Sequence, residues 1–400
     1  MPKKPPSVLC DTLTCSSTAS RAPLVIATLS SPILVGVRIL ICNTFLYRRG
    51  GAETYTLALA QLLREHGHEV LFFAMDHPQN LPSEQQQYFV EYIDYPTLQR
   101  DRRLSNVWKV LSRSVYYRGG RSQLRALLAD LKPDIAHLQN IHAHLTPSII
   151  AELNVGRVPI VWTLHDFKLL CPENSFFSNG TICEKCRGGR FYNCAVNRCK
   201  KGSLAASAVA AVEAYVHGTF GWCRQVDRFI APSVFLQTKF KEFGWTAPPV
   251  EFVRNFLPSL GEAHPGGTGY GVFTGMLRPE KGVKTLLHAL ALAGNPRFFI
   301  AGDGPMRADL MAVAAELELT NTEFLGHLDR AALDRLVRDA GFAVVPSEWY
   351  ENCPYAILEA MAAGKALIAS NHGGMAELVQ HDQTGLTFAP RDAAALAAMI

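Results

Sequence analysis

Two glutamates, Glu351 and Glu359, stand eight positions apart in a segment that could bind a hydroxylated ligand. Asn352 is predicted to cap a helix after a buried strand, with Pro354 in its first turn. Glu351 is then expected in the loop before the helix, and Glu359 on a helix otherwise rich in Ala, Ile, Leu and Met. A carboxylate on such a helix needs a partner, either two sugar hydroxyls or a nearby Arg or Lys. Glu351 is also consistent with plain loop surface.

Two predicted strand-to-helix turns offer groups that could meet a phosphate. Gly50 and Gly51 follow the first predicted strand, and such a turn lets backbone N–H groups approach a phosphate or a sugar closely. Arg278 and Lys281 lie at a second junction, where cations beside a helix N-terminus suit a diphosphate. Each turn, taken alone, is equally consistent with an ordinary tight or solvated turn. Neither the dinucleotide fingerprint nor a Walker phosphate loop is present.

Five cysteines form a cluster between residues 171 and 199: Cys171, Cys183, Cys186, Cys194 and Cys199. The Cys-x-x-Cys pair at 183 and 186 has the spacing of a zinc knuckle, and four thiolates complete a structural tetrahedral site. Compact spacing favours the last four cysteines of the cluster as ligands. A group of free thiols is the alternative.

The elements that would position these residues follow from apolar runs. Predicted strands at 38–42, 69–74, 134–138, 159–164 and 228–231 alternate with helices such as 53–65 and 104–131. The alternation restarts with strands at 272–275, 297–301, 323–325, 342–345 and 366–369. Short continuous apolar strands alternating with helices predict α/β units with parallel sheets covered on both faces. Ligands of such sheets bind beyond the carboxyl ends of the strands.

The predicted organisation has four parts. Residues 1–36 are interpreted as a disordered extension or as the result of a start assigned too early. Residues 37–255 form a first Rossmann-like domain that carries the cysteine-rich insert 171–199. The Gly/Pro-rich stretch 256–271 is the linker. Residues 272–400 form a second Rossmann-like domain, expected to be truncated at its end because the chain stops within a helical pattern.

Composition narrows the functional classes. Of 400 residues, 48% are hydrophobic and 18% are charged, which excludes general disorder. No apolar run reaches the roughly 20 residues of a membrane span. The net charge of +4 is uneven, at −6 from Ser259 onward and +10 before it. The first half is therefore expected to meet something anionic.

A basic segment with interleaved aromatic residues lies in that first half. Its members are Arg100, Arg102, Arg103, Lys109, Arg113, Arg118, Arg121 and Arg125, with Trp108, Tyr116 and Tyr117. This pattern is typical of a helix on an anionic membrane surface, although nucleic acid or a solvated helix face would also suit. We favour the membrane surface.

The segment around Glu351 and Glu359 resembles the signature of retaining glycosyltransferase family 4 (glycosyl transferases group 1), which is Glu, seven residues, Glu. Further matches extend over nearly the whole chain, at residues 47–53, 137–142, 163–166, 255, 301–305, 325–326 and 373–377. The resemblance implies a GT-B fold, in which two Rossmann-like domains with parallel sheets face a central cleft. The first domain would mainly bind the acceptor, and the second the nucleotide-sugar.

The resemblance also implies roles by position. Glu359 would bind the ribose hydroxyls, Glu351 the hydroxyls of the donor sugar, and Lys281 the diphosphate. His165 would contact the donor sugar at the reaction centre, although as a bare histidine it also fits a packed loop. The predicted catalytic residues are thus His165 and Glu351, and the predicted donor-binding residues are Gly50, Gly51, Arg278, Lys281, Asn352, Cys353, Pro354, Tyr355 and Glu359.

Two further expectations come from the resemblance. Relatives with a similar insert keep the equivalents of Cys171, Cys183, Cys186 and Cys199, so this set is the predicted zinc site, with Cys194 as the alternative ligand. The family usually has Arg where this chain has Met276. Arg278 would share a face with position 276 only if the strand extended that far.

The expected reaction is transfer of a glycosyl group from a UDP- or GDP-sugar to a hydroxyl, with retention of configuration. The acceptor would be a glycan or a lipid-linked molecule in the synthesis of cell-surface polysaccharide, lipopolysaccharide or glycolipid. We expect no cofactor for catalysis, no nucleic-acid partner, and a cytoplasmic protein that is peripheral on the inner face of the cell membrane. The alternatives are a GT-B-fold nucleotide-sugar epimerase and a non-catalytic, zinc-containing nucleic-acid-binding protein.

Overall fold

A computed structural model of the chain describes residues 36–94, 113, 115–142, 144–257, 263–264, 267 and 269–400. Residues Gly36–Ile400 form one compact unit. None of the described helices has the length and apolar character needed to cross a bilayer.

The first half of the described chain builds one parallel sheet. Its strands in chain order are β1 (Arg38–Cys42), β2 (Glu69–Phe73), β3 (Ile135–Leu138), β4 (Ile160–Thr163), the short pair β5 (Phe177–Ser178) and β6 (Thr181–Ile182), β7 (Arg228–Ala231) and β8 (Val250–Phe252). Six of them form the parallel sheet in the order β2-β1-β3-β4-β7-β8, and β5 pairs with β6 antiparallel. The helices are α1 (Gly51–Glu65), α2 (Arg118–Leu131), α3 (Ile150–Val155), α4 (Tyr192–Val196), α5 (Leu204–Phe220) and α6 (Val234–Glu242).

The second half builds another parallel sheet. Its strands are β9 (Gly271–Thr274), β10 (Phe298–Ala301), β11 (Thr322–Gly326), β12 (Phe342–Val345), β13 (Ala366–Ser370) and β14 (Leu386–Phe388), in the order β11-β10-β9-β12-β13-β14. The helices are α7 (Val283–Leu292), α8 (Arg307–Glu316), α9 (Arg330–Asp339), α10 (Tyr355–Ala362), α11 (Met375–Leu378) and α12 (Ala393–Ala397).

Buried apolar strands explain why both sheets are parallel. Every residue of β10 is buried, and in β1 only Arg38 is not. Such strands need helices on both faces to cover them. In the first sheet, Trp162 and Phe229 lie in a core that spans β4 and β7. The two parallel α/β sheets expected from the apolar runs are thereby confirmed.

The prediction of one continuous helix at 104–131 is wrong where the structure describes that segment. Helix α2 begins only at Arg118, because Tyr116 and Tyr117 are not helical and Tyr117 is extended, with φ −109°. Arg113 is buried, with its guanidinium 3.6 Å from the ring centre of Tyr117. Residues 95–112 of the basic segment lie outside the described residues.

Three arginines of the basic segment pair with acids of their own fold. Arg113 contacts Glu91 at 3.1 Å, and Arg121 and Arg125 both pair with the buried carboxylate of Glu152. Their positive charges are partly balanced within the fold, although the side chain of Arg125 is 68% exposed.

Candidate active site

One cleft of about 510 Å³ lies between the two sheets. Its lining residues follow the carboxyl ends of β1, β3, β4 and β7 in the first sheet and of β9 and β12 in the second. This is the expected ligand position for open parallel sheets. The cleft brings together every predicted catalytic and donor-binding residue: Gly50, Gly51, His165, Arg278, Lys281, Glu351, Asn352, Cys353, Pro354, Tyr355 and Glu359.

Glu351 and Lys281 form an ion pair in the cleft. Oε1 of the buried Glu351 lies 2.5 Å from Nζ of Lys281, and Ser347 Oγ donates to the same oxygen at 2.8 Å. Burial alone would raise the pKa of the Glu351 carboxyl, but the ammonium and the hydrogen bonds hold this pKa below its usual value. The site therefore holds a fixed anion beside a cation.

Glu359 has a partner that the sequence did not reveal. Its Oε1 contacts Nη1 of Arg330, which starts α9 and also pairs with Asp334 at 2.8 Å. The salt bridge that was one of the two interpretations of Glu359 is thus present without a ligand. A diol at Glu359 would have to share or displace this guanidinium.

His165 is a neutral group in the cleft wall. Its Nε2 lies 2.7 Å from Oε1 of Gln139, and the ring of Tyr55 meets it edge-on at 5.2 Å. Burial, with a smaller contribution from His137, lowers the pKa of His165 to about 3. The imidazole is uncharged at neutral pH, so it can donate or accept a hydrogen bond but supplies no positive charge to a leaving group.

Asn352 does not cap the helix as predicted. Pro354 is the N-cap residue of α10, and the Asn352 side chain instead reaches the first half of the chain. It accepts from Ser233 Oγ at 2.6 Å and donates to the carbonyl oxygen of Leu164 at 3.0 Å. Because Leu164 precedes His165, Asn352 joins the loop that carries Glu351 to the loop that carries His165.

A second contact between the two halves of the chain involves Glu377. Its carboxylate accepts from the backbone N–H groups of Val234 and Phe235, the first residues of α6. A negative charge at a helix N-terminus satisfies free donors and complements the helix dipole. Sequence reasoning placed Glu377 only within a motif and missed this role, because its partners lie more than 140 positions away.

The strand does not extend far enough for Arg278 to take the place of an arginine at position 276. Strand β9 ends at Thr274, and Gly275 follows with φ 155°. Positions 276 and 278 therefore do not share a strand face. Met276 and Arg278 nevertheless both line the cleft, and Arg278 Nη1 lies 3.7 Å from Glu280. Arg278 remains able to contribute charge from a turn.

The cysteines of the insert lie near one another without forming a set of metal ligands. Cys186 and Cys194 are buried against Ala210 and Ala211 of α5, and Cys199 packs on them. In the described part of the chain, which includes all five clustered cysteines, no group of three or more His, Cys, Asp or Glu side chains is placed to hold a metal ion. The zinc site at Cys171, Cys183, Cys186 and Cys199 stays a prediction.

Comparison with known families agrees with the fold and the site. Residues 49–258 match the model of Glycosyltransferase Family 4, and residues 262–400 match that of Glycosyl transferases group 1. The two matches cover nearly all of the described chain. This chain belongs to glycosyltransferase family 4.

Individual relatives match this chain either over about half its length or at low sequence identity. Glycogen synthase of Mycobacterium tuberculosis is 34% identical over 202 residues, which are 48% of this chain and 49% of that protein. The chain therefore spans about half the length of this curated relative. Sucrose-phosphate synthase from Thermosynechococcus elongatus superposes with a TM-score of 0.62 at 18% identity, over 91% of this chain and 88% of that one. HepE from Anabaena in complex with UDP gives a TM-score of 0.56 at 20% identity, over 90% and 88%. These two structures share the GT-B fold with this chain.

Proposed function

We propose that the protein is a retaining glycosyltransferase that moves a sugar from a UDP- or GDP-sugar to a hydroxyl of a glycan or a lipid-linked acceptor. The observation that carries this proposal is the single cleft in which Lys281, Glu351, Glu359 and His165 come together. The UDP bound to the structural neighbour HepE supports a nucleotide donor of this kind.

The leaving diphosphate would be stabilised mainly by fixed positive charge. Lys281 and Arg278 border the cleft, and α10 begins there at Tyr355. A cation and free N–H groups at a helix N-terminus, placed before reaction, stabilise charge that develops as the glycosyl bond breaks. When the ammonium of Lys281 pairs with the diphosphate instead, Glu351 becomes available to accept hydrogen bonds from donor-sugar hydroxyls.

The remaining side chains would orient the substrates. Glu359 would accept hydrogen bonds from both ribose hydroxyls, and Arg330 would hold its carboxylate in position. The neutral His165 would contact the donor sugar. No side chain of the cleft is proposed as a covalent nucleophile, and an oxygen of the departing phosphate would assist removal of the acceptor proton.

The acceptor and the location are further parts of the proposal. We propose a role in cell-surface polysaccharide, lipopolysaccharide or glycolipid synthesis by a cytoplasmic protein, peripheral on the inner face of the membrane. The charge of +10 in the first 258 residues supports contact with anionic lipid. The arginines at 113, 121 and 125 are paired internally, so this contact would depend on the other basic residues.

Thermal unfolding with UDP, GDP and ADP tests the donor site. One nucleotide is expected to raise the unfolding temperature, because a ligand at 100 times its Kd stabilises the native state by about 2.7 kcal/mol. Glu359→Ala should abolish most of this shift. Asp334→Ala, which removes the other acidic partner of Arg330 outside the cleft, should retain it. No shift with any nucleotide, or equal shifts in both variants, would contradict the proposal.

A further inference from the structure

A second cavity, of about 150 Å³, lies beside the cleft on the first sheet. The same two loops line both spaces. The loop after β3 contributes Asn140 to the cleft and His142 to the cavity, and the loop after β4 contributes Phe167 to the cleft and Lys168 to the cavity. The cavity is far smaller than the cleft and suits one ring-sized group rather than a nucleotide.

The walls of this cavity are largely apolar. Phe191 from the cysteine-rich insert and Trp245 after α6 provide aromatic surface. The indole of Trp245 is held in place, because its Nε1 donates to the carbonyl oxygen of Pro248 at 2.9 Å and its ring packs on Phe240. A rigid apolar wall with a few polar groups is the usual form of a small-molecule site.

The polar groups of the cavity carry a net positive charge. Lys168 Nζ donates to Glu213 at 3.0 Å and to the carbonyl oxygen of Pro172 at 2.9 Å, so its charge is balanced. Arg224, in contrast, is exposed and has no ion-pair partner among the described residues. One guanidinium therefore remains uncompensated at the cavity, in a position to meet an anion.

Two histidines complete the polar part of the lining. Burial and the nearby charge of Lys168 keep the pKa of His142 well below its usual value, and burial likewise lowers the pKa of His217. His217 Nε2 already contacts the carbonyl oxygen of Val115 at 3.1 Å. His142 has no hydrogen-bonding contact with any described residue, although its ring packs on Trp162 at 5.1 Å. As a neutral imidazole, it can donate one hydrogen bond to an oxygen in the cavity.

We propose that this cavity is a subsite for an acidic sugar unit of the acceptor, with the ring against Trp245 and Phe191 and the oxyanion on Arg224 and His142. The oxyanion would be a carboxylate or a phosphate carried by the sugar. This inference rests on the proposed function, because an acceptor must lie beside the donor cleft on the first sheet. It also gives the insert a role, since Phe191 forms one wall.

Binding of small sugars to the full-length protein tests the subsite without any transfer assay. The probes are glucuronate, glucose 6-phosphate, glucose and inorganic phosphate, titrated by NMR or calorimetry. Glucuronate or glucose 6-phosphate is expected to bind at least about tenfold more tightly than glucose and than inorganic phosphate, since hydrogen bonds to charged groups contribute on that scale. Arg224→Ala should remove this preference.

Two further variants test whether the sugars bind in this cavity, one that obstructs it and one that serves as a control. Gly218 lines the cavity, and a Cβ added there meets no atom within 4 Å, so Gly218→Leu should fold and obstruct the cavity. Arg228→Ala is the matched control, because Arg228 begins β7, where it pairs with Glu251 away from both spaces. Glucuronate or glucose 6-phosphate binding should be lost in the first variant and unchanged in the second.

The inference is overturned if neither acidic sugar binds more tightly than glucose. It is also overturned if inorganic phosphate binds as well as the acidic sugars, or if Gly218→Leu and Arg224→Ala bind like the wild type. The nucleotide-dependent shift in unfolding temperature is measured on the same samples. A shift without acidic-sugar binding would remove the subsite and leave the proposed function, whereas acidic-sugar binding without a shift would remove the proposed donor site.

Discussion

Replacing Glu351 by glutamine is expected to lower kcat/KM for sugar transfer by about 10²–10³-fold, the scale on which a preorganised group that stabilises the transition state contributes. The substitution keeps the shape of the side chain but removes its charge from beside Lys281. The ammonium would lose its counter-ion, and the donor sugar would lose a carboxylate acceptor. The measurement is initial transfer rate against the concentration of the nucleotide-sugar whose base gives the largest thermal shift.

Glu348→Gln is the control for this prediction. Glu348 lies three positions earlier on the same loop, where it pairs with Arg391 at 2.8 Å and accepts from Thr285 at 2.6 Å. It does not line the cleft. Its loss should reduce stability modestly and leave kcat/KM within a few-fold of the wild type. Equal losses in the two variants would mean that the charge of Glu351 has no special part in the reaction.

Replacing Gly282 by alanine is expected to destabilise the protein and to weaken nucleotide binding. Gly282 has φ 68°, and a Cβ there would lie 1.9 Å from the carbonyl oxygen of Pro346. The left-handed backbone costs about 1–2 kcal/mol for alanine, and separating the backbone at Gly282 from that at Pro346 costs a further ~1–3 kcal/mol. Displacing Pro346 would also shift the loop that carries Glu351, so nucleotide affinity should fall about tenfold or more.

Gly294→Ala separates the two contributions. Gly294 has φ 82°, but a Cβ there would meet nothing within 4 Å. This control should show only the backbone cost, with unchanged nucleotide affinity. Urea unfolding and nucleotide titration of both variants make the comparison. If Gly282→Ala matched Gly294→Ala in both measurements, the close approach between Gly282 and Pro346 would not be needed for the site.

The sequence predicted the fold where strands are buried on both faces. Continuous apolar runs marked β1, β7 and β12 to the residue, because such runs are what a covered parallel sheet requires. The edge strands β8 and β14 were missed. Both are only three residues long, which is too short for a distinct apolar run, and the residues of β8 are also partly or fully exposed.

The candidate site likewise contains residues that the sequence predicted and partners that it did not. Residues that belong to one local pattern, such as Glu351, Glu359 and Lys281, could be placed from spacing and from the family resemblance. The partner of Glu359 could not, because Arg330 comes from another element and reaches the site only through the tertiary fold. The same holds for Ser233, the partner of Asn352. Asn352 shows the limit clearly. A residue type that favours helix caps instead makes its hydrogen bonds across the cleft.

A crystal structure of the protein with the nucleotide that stabilises it most tests the central claim most directly. The account predicts the diphosphate against Lys281 and the turn at Gly50 and Gly51, with both ribose hydroxyls on Glu359. Arg330 should have moved from its present contact or share the carboxylate with the ribose. A nucleotide bound outside this cleft, or bound within it with its ribose away from Glu359, would contradict the account.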